Sequence, residues 1–225
     1  MDTQRWLQLS RALKATTAAG PLVAPSAARA TVSRLRSGLQ WAQEYRRKTG
    51  SAGSSHVDIP NALVIDRLSL IDLLCLDSVR DPWPGAGDAW ADMRRAVRSL
   101  QYGKSTGSLW LCAPNILVTA TRFDFDQADY AKWVCLQAAF FAEYLAIGNG
   151  NREAQAMARV LAHRRLEELS PRDISSVRWI RERLESVAAA DSEVQSFLED
   201  PAVGRLDETS IMESWLQHKR TVESV

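Results

Sequence analysis

The sequence predicts a mainly helical fold of the α+β kind, and three observations carry that expectation. Apolar residues recur at three- and four-residue spacing over most of the 225 positions. One long segment, Tyr130 to Leu145 (YAKWVCLQAAFFAEYL), is apolar on almost every side, as a helix at the centre of a core must be. A single stretch rich in β-formers, SLWLCAPNILVTATRF, predicts a bent strand or small hairpin near 108–120, beside a central buried helix over 127–147.

Residues 3–14 set Trp6, Leu9 and Leu13 on one side of a short helix, and ATTAAGPLVAPSAARA, broken by Gly20, Pro21 and Pro25, reads as a flexible connector. Residues 1–25 are thus expected to form an N-terminal helix and linker ahead of one helical domain over 26–225. From Ser26, a candidate N-cap, Ala28, Val32, Leu35, Leu39 and Ala42 recur at helical spacing. The run RRK sits where a C-terminal dipole favours cations, and TGSAGSSH at 49–56 breaks the helix.

Asp66 is placed to cap a helix carrying Leu70, Ile71, Leu74 and Cys75, and DPWPGAGD at 81–88 is a turn cluster. Trp90, Met93, Val97 and Leu100 mark the next helix, which YGKSTGS ends as a loop. Asp126, with Asp129 three residues later, gives the central helix a start resembling a capping box, and Asn149-Gly150 ends it. The C-terminal extension 151–225 is helical throughout. REAQAMARVLAHRRLEEL comes first, followed by a helix opened by Ser170 as cap and Pro171 at its first position. A short helix near 192–199 stops at Asp200-Pro201, and a last one over 208–219 bears Ile211, Met212, Trp215 and Leu216.

Composition excludes several functions. Lys and Arg number 28 against 27 Asp and Glu, a net charge of +1, so no global field draws nucleic acid or an acidic membrane surface. No apolar run approaches transmembrane length and the first residues lack a signal-like core, which points to a soluble cytoplasmic protein. Cys75, Cys112 and Cys135 lie in apolar runs without a CxxC spacing and read as reduced, buried thiols.

The segment GKST at 103–106 lacks the upstream glycine of a phosphate loop. His56, His163 and His218 are far apart, without a second ligand at metal spacing, and read as surface or loop histidines. Asp124 and Asp126 are explained by capping. Arg164, Arg165, Arg178, Arg181 and Arg183, interleaved with Glu167, Glu168, Glu182 and Glu185, read as a salt-bridged surface. No catalytic constellation, cofactor or metal site follows from the residues themselves.

Four segments in order carry a resemblance: VSRLRSGLQWAQEYRRKTG at 32–50, LVIDRLSLI at 63–71, LWLCAPNILVTATRF at 109–123 and AKWVCLQAAFF at 131–141. They resemble the actinobacterial zincin-like metallopeptidases, a family often associated with coenzyme F420 biosynthesis. The match spans roughly residues 20 to 150 and is most specific at APNI (113–116) and WVCL (133–136). Aligning WVCL sets Gln137 where that family has its first zinc-binding His, Ala138 where it has the general-base Glu, and Phe141 where it has the second His. An amide is a poor zinc ligand, a methyl takes no proton and a phenyl ring does not coordinate. Glu153 and His163 remain as isolated candidates for a further ligand.

The resemblance implies a shortened zincin-like chain that has lost its metal and hydrolysis, a pseudo-metallopeptidase acting as a protein-binding or regulatory module. In zincins the strand before the active helix lines the cleft. Leu109, Trp110, Leu111, Ile116 and Val118 are accordingly expected on an edge strand that receives a peptide from a partner protein. Two alternatives stand beside this. One is a structural subunit anchored by Trp6, Trp41, Trp83, Trp90 and Trp215; the other is an enzyme with an unrelated site near His163 and the Arg-rich helices.

Overall fold

The structure, a computed structural model, describes residues 3–49, 62–80, 89–105, 107–148, 152–169, 171–184, 192–203 and 205–223. They form a mainly helical fold with a small three-stranded sheet. In chain order the elements are α1 (Thr3–Thr16), α2 (Pro25–Thr49), β1 (Leu63–Ile65), α3 (Arg67–Arg80), α4 (Ala89–Ser99), β2 (Tyr102–Ser105) and β3 (Ser108–Cys112). After these come α5 (Ala113–Arg122), α6 (Gln127–Ile147), α7 (Arg152–Leu169), α8 (Val177–Leu184), α9 (Ser192–Leu198) and α10 (Glu208–Glu223).

The sheet runs β1-β3-β2, with β3 parallel to β1 and antiparallel to β2. Alternation along β3 feeds two separate cores. Leu109 and Leu111 join Tyr102 and the residues of α6, whereas Trp110 and Cys112 join Trp6, Leu13, Leu70, Ile71, Met93 and Val97 from α1, α3 and α4. The sheet is therefore a thin layer between two helical layers.

The expected central helix is α6, with the bounds read from the sequence. Asp126 caps it by accepting from the N–H groups of Ala128 (2.9 Å) and Asp129 (2.8 Å). Helices α2 and α7 flank it. At Gly38 the approach of α2 is close: a Cβ there would lie 2.9 Å from Cys135 Sγ and 3.2 Å from the Ala131 carbonyl oxygen. Arg46 on α2 pairs with Glu143 on α6 at 2.7 Å. C-terminal to Ile147, residues 149 and 150 lie outside the described residues, as do the breaker residues 50–56 and the turn cluster 81–88.

Several expectations are corrected. The β-forming stretch does not continue past Cys112; Ala113–Arg122 is helical. Pro114 falls in the first turn, where a missing N–H leaves no bond unmade, and Ile116, Leu117 and Ala120 share one buried face. Packing thus overrides the β-propensity of this segment. The partner strand of the hairpin is Tyr102–Ser105, where the sequence predicts a loop. Its two-residue turn needs Gly107 at φ +86°. Leu63–Ile65 adds a parallel strand before Asp66 caps α3, accepting from the Ser69 N–H at 2.7 Å.

The N-terminal helix packs on the second core. Trp6 and Leu13 are buried against α3, and the connector is tied down where the Arg67 N–H donates to the Ala19 carbonyl at 3.1 Å. Pro25, not a residue after Ser26, opens α2, with Ala24 accepting its first backbone bonds. On α10 the helix runs four residues beyond 219, to Glu223.

Asp129 does not complete a capping box. Its carboxylate instead accepts from Ser175 Oγ (2.5 Å), Ser176 N (2.9 Å) and Ser176 Oγ (2.9 Å), so the start of α8 is capped by a residue of α6. Because those serines are committed there, Pro171 lies in a turn segment and α8 starts only at Val177; Ser170 lies outside the described residues. Burial raises the Asp129 carboxyl pKa, but the hydrogen bonds from Ser175 and Ser176, with the charge of Lys132, outweigh it and hold it below the ordinary 3.8. A depressed folded pKa stabilises the fold above the unfolded value, and that contribution disappears as pH falls through the folded one. Asp129→Asn is therefore expected to lower the melting temperature at neutral pH and to flatten its decline below about pH 4, as calorimetry across pH would record.

Candidate functional site

The positions singled out by the resemblance lie along the face of α6 that meets α7 and the sheet. Gln137 is half-buried, and its Nε2 lies 3.4 Å from His163 Nδ1. On the other side of that ring, His163 Nε2 lies 3.1 Å from Glu167 Oε1. A neutral imidazole satisfies both contacts when Nε2 carries the proton toward Glu167 and Nδ1 accepts from the Gln137 amide.

His163 is thus not a free surface histidine. Its carboxylate stands four residues on, and the spacing within HRRLE is the one sequence signal that points to this partner.

One turn further along α6, Phe141 is completely buried. The Tyr102 ring meets its edge at 5.4 Å and 65°, and the Arg159 guanidinium sits 5.3 Å from its centroid. Ala138 is also fully enclosed. The two helices therefore match Gln137 with His163 and Phe141 with Arg159, two adjacent rungs of one interface.

Arg159 carries no sequence signal. Within the described residues its one hydrogen bond is from Nη2 to Gln155 Oε1 at 3.3 Å, and its covered Nε has no partner. Burial pulls its pKa down from the ordinary value, opposed by Tyr102, whose phenol burial pushes up to about 12.

The expected peptide-receiving strand is corrected. Leu109, Trp110 and Leu111 lie on β3, the middle strand, whose two edges are taken by β1 and β2. Ile116 and Val118 lie on α5, the first buried and the second exposed. None of the five offers an unpaired strand edge. The segment APNI instead ties elements together. Asn115 is buried, its Nδ2 donates to the carbonyls of Val97 (2.9 Å) and Leu100 (2.6 Å), and its Oδ1 accepts from Arg67 Nε at 2.7 Å. One side chain thereby closes the C-terminus of α4 and anchors the start of α3.

Among the described residues no three His, Cys, Asp or Glu side chains gather to hold a metal ion; the Glu153 side chain lies outside them. All three cysteines are free and buried, and burial raises each thiol, Cys75 and Cys112 to about 11. Trp6 and Trp215 are core residues, not surface anchors, and Trp83 falls outside the described residues. Among the described residues no helix is long and apolar enough to cross a membrane.

The chain matches no family model, no curated protein and no solved structure. What remains is the chemistry of the α6–α7 interface: an amide, an imidazole held by a carboxylate, an enclosed phenyl ring and a guanidinium that pairs with no carboxylate among the described residues.

Proposed function

We propose that the chain is a catalytically inactive, zincin-like protein of the actinobacterial type that acts in the cytoplasm as a protein-binding or regulatory module. The observation that carries this reading is the enclosure of Phe141 between Tyr102 and Arg159. A working HExxH helix needs two imidazoles turned toward one ion and a carboxylate beside its water. At the second ligand position an apolar ring fills that space, and the neighbouring guanidinium would repel a second cation. Ala138 offers no base, and Gln137 is engaged with His163.

The zincin-like scaffold is supported by the four resembling segments, and the protein partner by a small sheet whose outer strands pair with β3 alone among the described residues. Incubating the purified chain with casein and fluorogenic peptides, with added zinc, tests this reading. No turnover above the blank is expected, with or without chelator, and chelator-sensitive cleavage would end it.

A second reading, a structural subunit of an assembly, draws on Trp179, which is 43% exposed on α8 with the Arg183 guanidinium 4.5 Å from its ring. Sedimentation of a concentrated sample as a monomer removes its homo-oligomeric form.

A further inference from the structure

Helix α2 carries six cations, Arg29, Arg34, Arg36, Arg46, Arg47 and Lys48, against one acid, Glu44, in a chain whose net charge is +1. Leu35, Leu39 and Ala42 turn its apolar side to α6. Arg34 and Arg46 flank that side, the first donating to Gln127 Oε1 at 2.8 Å and the second paired with Glu143. The other four cations are exposed, and their side chains make no ion pair or hydrogen bond among the described residues.

Steps of seven and eleven residues bring a helix back to within about 20° of the same line, so Arg29, Arg36 and Arg47 stand in one row about 27 Å long, with Ser33 and Gln40 exposed beside it. The helix dipole explains Arg47 and Lys48, in the last turn, but gives a cation nothing at Arg29 or Arg36, nearer the N-terminus. Nor is this the salt-bridged kind of surface. On α7 and α8 the arginines alternate with acids and pair with them, Arg165 with Glu168 at 3.5 Å and Arg178 with Glu182 at 2.8 Å. A row of unpaired arginines has instead the chemistry to meet a polyanion of regular charge spacing.

We infer that double-stranded DNA lies across the exposed face of α2, with Arg29, Arg36, Arg47 and Lys48 on its phosphates and Ser33 and Gln40 adding hydrogen bonds to the same backbone. Other polyanions fit less well. None of the large exposed apolar side chains lies on α2, so the face has neither the anchor of a protein hot spot nor the wedge of a membrane-surface helix. It has no exposed aromatic ring on which an unpaired base could stack. A-form RNA offers a helix only a deep, narrow major groove, where B-form DNA offers one about 12 Å wide. With a net charge of +1 there is no long-range steering, and the contact is local, independent of base sequence and sensitive to salt. This goes beyond the protein-binding reading and makes no use of the α6–α7 interface.

The test is fluorescence anisotropy of the full chain with a labelled DNA duplex of mixed sequence across a salt series. Saturable binding is expected in about 50 mM salt, equal for a second duplex sequence, with log affinity falling against log salt at a slope of about −3 to −4, as for four phosphate contacts. Arg29→Gln, Arg36→Gln and Arg47→Gln together, at exposed positions that leave thermal unfolding unchanged, are expected to weaken binding about tenfold or more and to reduce the slope by about three. Arg29→Lys, Arg36→Lys and Arg47→Lys together should keep the slope. Absence of binding in low salt, a glutamine variant that binds as before, or tighter binding of the single strand or of an RNA duplex would overturn the inference. A poly-glutamate peptide or a phosphatidylserine vesicle bound more tightly than the duplex would overturn it too, and would reassign the face to an acidic protein or a membrane.

Discussion

Rebuilding the motif with Gln137→His, Ala138→Glu and Phe141→His is expected to unfold the chain, not to create a zinc enzyme. The first change is tolerable, because Gln137 is half-buried beside His163. The others are not. Ala138 is fully enclosed, so a glutamate there must bury a carboxylate with no partner while overfilling the helix interface. Phe141→His replaces a buried phenyl ring packed on Tyr102 and Arg159 with a smaller, polar imidazole set against a guanidinium. Overpacking at Ala138 costs about 1–3 kcal/mol, and each of the two buried unpaired polar groups about 2 kcal/mol or more. Together these approach the whole stability of a typical domain, about 5–15 kcal/mol. Circular dichroism during heating should show a lost or strongly lowered transition that added zinc does not restore; a cooperative transition raised by zinc would contradict this packing.

Asn115→Leu is expected to be the most damaging single change outside the central helix. It leaves the carbonyls of Val97 and Leu100 and the Nε of Arg67 without their partners. Orphaned polar groups away from water cost about 1–3 kcal/mol each, and with two of the three only partly buried a loss of about 3 kcal/mol or more follows. Asn115→Asp separates hydrogen bonding from size: it keeps the shape and the acceptor for Arg67 but aims a carboxylate oxygen at two carbonyl oxygens. Urea unfolding should place both variants at much lower midpoints with little change in slope. A near-native midpoint for Asn115→Asp would show that the two α4 carbonyls do not depend on the amide.

These two sites also mark what the sequence can and cannot disclose. Helix α6 is legible from its apolar run and its Asp126 cap, which act locally. So is β3 as far as Cys112, where Leu109 and Leu111 alternate with Trp110. The following residues mislead because Ile116, Val118 and Thr119 favour strands by propensity, while the helix comes from Pro114 at its start and a buried face that only the tertiary contacts reveal.

Strand β2 is hidden for the opposite reason. Tyr102-Gly103-Lys104-Ser105 has almost no β signal, and pairing with β3 makes it a strand. Gly103 fits there because a Cβ would stand 2.3 Å from the Trp110 ring.

At the candidate site, the apolar types at 138 and 141 are those of core residues, and both side chains are fully buried. The partners of that face are not readable. His163 and Arg159 arrive from α7, more than twenty residues beyond Gln137 for His163 and on a separate helix for both, and the packing of two helices decides which rungs meet. Asp129 shows the same limit: its spacing suggests a local cap, yet it caps a helix far along the chain.

On the proposed reading this helix face is packed and metal-free in the working protein. The most direct measurement is zinc content per chain, by plasma mass spectrometry, of protein purified natively without chelator. Zinc far below one per chain is expected, unchanged after incubation with excess zinc and desalting. One tightly held zinc per chain would contradict it.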